Sequence, residues 1–168
     1  MLLRSILIAL LAVAAVVGGH AALGGGSGAS GPSSGPVVRV VDGDTIRVRL
    51  GGTDEPIRYI GVDTPETVKP GTPVQCYGRA ASAYNKRLLK GHSVRLVFDA
   101  ERRDRYGRLL AYVYRQPDGL FVNAELVRRG YAQPLTIPPN VSHAPEFRAL
   151  ARGARRAGRG LWAACGAS

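Results

Sequence analysis

Four carboxylates and an arginine are gathered into two short stretches of this chain, Asp42-Gly43-Asp44-Thr45 and Arg58-Tyr59-Ile60-Gly61-Val62-Asp63-Thr64-Pro65-Glu66. Acidic residues are scarce elsewhere, 12 Asp plus Glu against 23 Lys plus Arg in 168 residues, so the clustering needs a chemical reason. Carboxylate and carbonyl oxygens suit a hard cation. A guanidinium suits a phosphodiester, because its planar fork donates two parallel hydrogen bonds to paired oxygens. These stretches hold the parts for both.

Each stretch also has an ordinary explanation. Asp-Gly between two apolar runs is a strong hairpin signal, and Asp63-Thr64-Pro65 suits a turn that ends a strand. Neither explanation accounts for Asp44 opening the next strand while Asp63 closes another. Two convergent carboxylates plus a turn carbonyl make a partial cage for a hard cation, with water completing it. An EF-hand does not fit, since no Glu stands at the twelfth position. A third segment, Asp104-Arg105-Tyr106-Gly107-Arg108, reads either as a charged, solvated turn or as the source of a second arginine, Arg108, for the same mouth as Arg58.

Other chemistries are poorly supplied. His20 lies in the N-terminal apolar segment, which leaves His92 in a turn and His143 at a helix entrance, both ordinary surface positions. A two-histidine mechanism is therefore not expected. No spaced His/Cys set offers a zinc site, and no Gly-x-Ser-x-Gly elbow offers a serine nucleophile. Catalysis here would rest on carboxylate, arginine and metal.

The elements that must position these residues are short. Ile46, Val48 and Leu50 alternate with Arg47 and Arg49, the period of a strand with one wet face. Val38–Val41 precedes it as a short apolar run and Ile57–Val62 follows as a third strand. Ala80, Tyr84 and Leu88 recur every four residues between Gln75 and Lys90, and Gly91 closes that helix. Val94, Leu96 and Phe98 form a strand, Leu109–Tyr114 another, and Pro117-Asp118-Gly119 turns the chain. Asn123–Arg129 is a short helix. Pro145–Ala157 is the last, capped by Ser142 or His143, with Phe147, Leu150, Ala151 and Ala154 inward. This β-β-β-α-β-β-α-α order fits an α+β fold, a small closed barrel with packed helices, and five-stranded barrels of this kind include the OB-fold.

Composition sets the frame around that domain. Residues 1–22 combine a positive start, the apolar run Ile6–Val17 and the small-x-small site Gly19-His20-Ala21, the pattern of a cleaved signal peptide. An outward-facing membrane anchor is the alternative, although the run falls short of the ~20 residues a span needs. Residues 23–36, almost all Gly, Ser, Ala and Pro, read as a flexible linker. Residues 37–168 carry the folded domain. Export would place the chain in an oxidising compartment, where Cys76 and Cys165 are expected to pair. Closing so long a loop stabilises by about 4–5 kcal/mol in the chain-entropy account. The net charge of +11 suggests a polyanionic partner.

The motifs Val41-Asp42-Gly43-Asp44-Thr45, Arg58 through Glu66, Asp104 through Arg108, and Val122-Asn123 with Leu126-Val127-Arg128 stand in the order seen in the staphylococcal nuclease (thermonuclease) family, which the chain resembles from about Val38 to Trp162. The resemblance implies an OB-fold barrel with three helices and a Ca2+-dependent phosphodiesterase acting on DNA and RNA, preferably single-stranded, and leaving 3′-phosphates. It implies calcium on the Asp44 and Asp63 carboxylates and the Thr64 carbonyl. It makes Glu66 the general base and Arg58 and Arg108 the phosphate clamp, with Arg105 and Tyr106 as further substrate contacts. A secreted monomer is expected. The chain departs from the family pattern in lacking two tyrosines within Gln133–Pro139, where bases would stack, and in carrying Cys76 and Cys165. Two other readings remain, a non-catalytic nucleic-acid-binding barrel and a cationic binder of envelope polymers. The ordered carboxylate–arginine motifs weigh against both. The triplet Asn140-Val141-Ser142 is a glycosylation signal only in a host that glycosylates exported proteins.

Overall fold

A computed structural model describes residues 33–67, 71 and 73–166. The segment 1–22 and most of the stretch 23–36 therefore lie outside the described residues. The elements run β1 (Ser34–Val40), β2 (Thr45–Leu50), β3 (Thr53–Tyr59), β4 (Val62–Asp63), α1 (Gly78–Leu89), β5 (Ser93–Val97), β6 (Leu109–Gln116), α2 (Val122–Arg128), β7 (Gln133–Pro134), α3 (Ala144–Arg156) and the single turn α4 (Leu161–Ala164). Five strands close a barrel in the order β1-β2-β3-β6-β5, and β4 pairs with β7 as a separate two-stranded ribbon. This is the expected barrel with three packed helices, plus one extra helical turn.

Strand β2 shows why the barrel forms. Ile46, Val48 and Leu50 are buried while Arg49 is exposed, and each fully buried aliphatic side chain contributes about 1.5–3 kcal/mol. With Ile57, Val94, Leu96, Val113 and Leu126 they make the interior. The β3–β6 pair is the parallel one, with Arg58 opposite Leu110, and the other barrel pairs are antiparallel.

Asn123 of α2, fully buried, braces that parallel pair. Its Oδ1 accepts from the Val113 N–H (2.9 Å), and its Nδ2 donates to the Ile60 carbonyl (2.9 Å). A buried polar group is tolerated because its hydrogen bonds are made.

Several boundaries differ from those read in the sequence. β1 begins at Ser34, and Ser34, Gly35 and Pro36 pair with Arg95, Val94 and Ser93. The three residues assigned to a linker by composition are thus a strand, because backbone pairing does not need apolar side chains. The third strand ends at Tyr59, and Val62–Asp63 turns away to meet β7. The buried stripe of α1 is Gly78, Ala81, Asn85, Leu88 and Leu89, not one centred on Tyr84. Hydropathy conceals Asn85, which accepts from the Tyr59 hydroxyl (3.0 Å) and donates to the Asp42 carbonyl (3.0 Å). His143 does not lie idle at the surface: its ring packs edge-on against Tyr112 and Phe121. Asn140 is buried and exchanges hydrogen bonds with the Glu101 backbone, so the Asn140-Val141-Ser142 triplet has a structural use.

Cys76 and Cys165 are joined across 89 residues, the pairing expected from their number and context. Reduction should remove about 4–5 kcal/mol, which at the usual scaling lowers Tm by about 10 °C or more. Thermal melts with and without dithiothreitol check this, together with thiol titration, which should count two thiols only after reduction. Asn123→Ala should cost about 2–4 kcal/mol, since it leaves unpaired the buried Val113 N–H in β6 and the Ile60 carbonyl just after β3. A urea midpoint matching the parent's would contradict the bracing role.

Candidate active site

The buried carboxylate of Asp44 organises one end of the barrel. Its Oδ2 accepts from the Thr64 N–H (2.8 Å) and the Thr64 hydroxyl (2.9 Å). Its Oδ1 accepts from the Thr45 hydroxyl (3.1 Å) and lies 3.3 Å from Arg58 Nε. The preceding turn is held by Asp42, whose Oδ1 accepts from the Asp44 N–H (3.0 Å). Gly43 is required there because a Cβ would come within 2.5 Å of Thr64 Oγ1. The Asp-Gly dipeptide is therefore both the turn that its composition suggests and the floor against which Thr64 packs.

Arg58 leaves β3 and closes this end from the other side. Its Nη1 donates to the carbonyls of Tyr59 (2.8 Å) and Val62 (2.8 Å), and its Nη2 to Asp63 Oδ1 (2.9 Å). The guanidinium is mostly buried and links Asp44 to Asp63. Asp63 itself belongs to β4, so the two carboxylates come from the barrel and from the separate ribbon, not from neighbouring barrel strands as a simple meander would have it.

Arg108 arrives from the loop before β6. Asp104 shapes that loop: its Oδ1 accepts from the N–H groups of Tyr106 and Arg108 (3.0 Å each), and its Oδ2 accepts from Arg108 Nε (2.8 Å). Asp104 thus fixes Arg108 through Nε, and the guanidinium lies over the Tyr106 ring, 5.5 Å from its centroid. Arg105 and Tyr106 pair with each other at the rim, Nη2 to the phenol oxygen at 2.7 Å, and the Tyr106 ring is 69% exposed.

Two adjoining cavities result. The smaller, about 190 Å³, is walled by Asp42, Asp44, Thr45, Arg58, Asp63, Thr64, Pro65, Glu66 and Arg108. The larger, about 480 Å³, shares both arginines and continues along Arg105, Tyr106, Leu110, Leu135 and Ile137. Every residue that the sequence singles out for metal, base or phosphate lies at the small cavity, and Arg105 and Tyr106 lie at the large one. The sequence reading did not assign Asp42 or Thr45 to the wall. It also did not assign Leu135 and Ile137, two aliphatic side chains spaced by one at the edge of the larger cavity. An alternation of apolar residues just after β7 was the available signal.

The electrostatics are those of excess negative charge. Burial pushes the Asp42 carboxyl up to about 6, and the neighbouring Asp44 pushes in the same direction. Asp63 is also held above its usual range, by partial burial first and by Asp44 second, against the pull of Arg58. A hard divalent cation would relieve that repulsion, and the donors on offer are all oxygens. Among the described residues no three His, Cys, Asp or Glu side chains are gathered closely enough to hold an ion alone. A bound cation would need the Thr64 carbonyl and water as well as the Asp44 and Asp63 carboxylates. The residues fit such an ion on those terms.

Comparison with known proteins agrees with this geometry. The family model described as staphylococcal nuclease homologue matches residues 56–164. A thermonuclease of Staphylococcus intermedius is 54% identical over 104 residues, 62% of this chain and 61% of that protein. A thermonuclease of Staphylococcus hyicus is 43% identical over 126 residues, 75% of this chain and 73% of that protein. An endonuclease of Bacillus subtilis is 42% identical over 130 residues, 76% of this chain and 61% of that protein. The chain thus spans between three-fifths and three-quarters of the length of these relatives. With the motifs in register and the barrel that carries them, the chain belongs to the staphylococcal nuclease family.

Proposed function

We propose that the protein is a calcium-dependent nuclease that hydrolyses phosphodiester bonds of DNA and RNA and leaves 3′-phosphate ends. The observation that carries this reading is the meeting of Arg58 and Arg108 with Asp44, Asp63 and Glu66 around one cavity of about 190 Å³. Relatives named thermonuclease and endonuclease support it. A cleft of this size accommodates one strand more readily than a duplex, which supports a preference for single-stranded or unstructured substrate; the same reading has a monomeric enzyme.

In this reading Asp44, Asp63 and the Thr64 carbonyl would hold Ca2+, which when bound would supply positive charge to offset that of the phosphodiester. Arg58 and Arg108, both at this cavity, hold the phosphate and stabilise the charge that grows on its non-bridging oxygens. Glu66 orients water and takes one of its protons as the new P–O bond forms. The bond from phosphorus to the 5′-oxygen breaks on the opposite side, and that oxygen takes up a proton from solvent. Arg58 has a second task, because its guanidinium also neutralises the buried Asp44. Arg105 and Tyr106 guide the strand at the rim, and Leu135 with Ile137 offers an aliphatic wall to a base.

The same reading places the enzyme outside the cell, exported through the segment 1–22 and carried on the stretch that follows, with a retained outward-facing anchor as the variant of that scheme. The disulfide supports an oxidising destination.

The purified protein should cut single-stranded DNA at millimolar calcium and stop when a chelator is added. No cleavage with calcium would leave the barrel as a nucleic-acid-binding module. Arg108→Ala and Glu66→Gln should each lower kcat by about 10²–10³-fold, the scale of a lost transition-state contact, with an unchanged circular dichroism spectrum. Full turnover in either variant would show that the role has been misassigned. Arg58→Ala is the less clean test, since it also uncovers the buried charge of Asp44.

A further inference from the structure

Glu66 is held from outside the cleft by a second frame. Its N–H donates to Gln75 Oε1 (2.8 Å), and its carbonyl accepts from the Gln75 N–H (2.9 Å). One residue therefore grips the Glu66 backbone at two points. The next residue, Cys76, is bonded to Cys165. Tyr77 follows in the left-handed region, φ 67°, which is uncommon for an aromatic residue, and its ring stacks on Tyr131 with centroids 5.4 Å apart.

Gly78 then opens α1 directly against the same backbone. A Cβ at that position would lie 2.9 Å from the carbonyl oxygens of Pro65 and Glu66 and 2.8 Å from Thr67 Cγ2. The far flank is fixed too, since Thr64 is tied to Asp44 by two hydrogen bonds. The Glu66 carboxylate is thus carried on a backbone immobilised on both sides, and Gln75 supplies the nearer half. Its amide provides an acceptor without adding a further charge to an acid-rich site.

We propose that Gln75 is a positioning residue for the Glu66 carboxylate, kept in register by the Cys76–Cys165 disulfide. The proposal rests on the reading of Glu66 as the group that directs water. Gln75 touches neither substrate nor the reacting atoms. It acts because a base must stay within hydrogen-bond reach of its proton, and a misplacement of about 1 Å can cost about 10²-fold in rate. On this view the disulfide does more than raise Tm, because it anchors the end of the segment that presents the base.

The test uses the full chain, with single-stranded DNA and calcium, at a temperature where circular dichroism shows each variant folded. Gln75→Ala should lower kcat by about ten-fold or more with KM within two-fold, and NMR should show faster exchange of the Glu66 amide. Gln75→Glu keeps the acceptor, so it should retain kcat within about three-fold. Cys76→Ser with Cys165→Ser should lower kcat in the same sense as Gln75→Ala. Unchanged kcat in Gln75→Ala, or an equal loss in Gln75→Glu, would overturn the positioning role. A loss expressed in KM alone would also overturn it, assigning Gln75 to substrate binding. An inactive parent protein would sink the base reading and the positioning role with it. The exchange measurement would then report separately whether the Gln75 grip on the Glu66 amide exists.

Discussion

The structure depends on keeping one buried carboxylate charged. Removing an unpaired carboxylate from water costs several kcal/mol, and Asp44 is 5% exposed. Its charge is met by hydroxyls from Thr45 and Thr64, the Thr64 N–H and the Arg58 guanidinium. Those partners belong to the start of β2, the end of β3 and the segment after β4. Satisfying Asp44 therefore requires the turn at Gly43, the register of β2 on β3 and the placement of Thr64 all at once. The carbonyl of Asp44 adds a further tie by accepting from the Tyr59 N–H (3.0 Å). The site is a condition of this corner of the barrel, not an ornament on it.

The same arrangement explains why the arginines are not equivalent. Arg58 is built into the corner, with hydrogen bonds to two backbone carbonyls and a carboxylate. Arg108 is held by Asp104, lies over the Tyr106 ring and is partly exposed. One arginine is structural as well as electrostatic, and the other is presented to solvent. The parallel pairing of β3 and β6 brings them to one end, because the loop that carries Arg108 runs directly into β6 beside Arg58.

Much of this was legible in the residues. The alternation of Ile46, Val48 and Leu50 is a direct imprint of a half-buried strand, and the helix over 144–156 announced its inner face through Phe147, Leu150, Ala151 and Ala154. The site was legible because acid and arginine are conspicuous in a basic chain. What escaped was carried by backbone or by satisfied polar groups. Ser34–Pro36 looks like linker because its pairing with β5 uses main-chain atoms. Asn85 and Asn123 interrupt apolar patterns yet sit at the centre of the packing, because their amides bridge elements far apart in sequence. Gln75 has no periodicity to betray it, and only its two bonds to Glu66 give it meaning.

The parallel β3–β6 contact has a kinetic consequence. A parallel pair cannot be made by a local hairpin; the chain must complete a long excursion through α1 and β5 before β6 can settle beside β3. Loop closure of that kind is slow relative to helix or hairpin formation, since its entropy cost comes before its reward. Arg58 and Arg108 therefore become neighbours only when β6 settles beside β3. A chain still in transit carries every group of the site and none of its geometry.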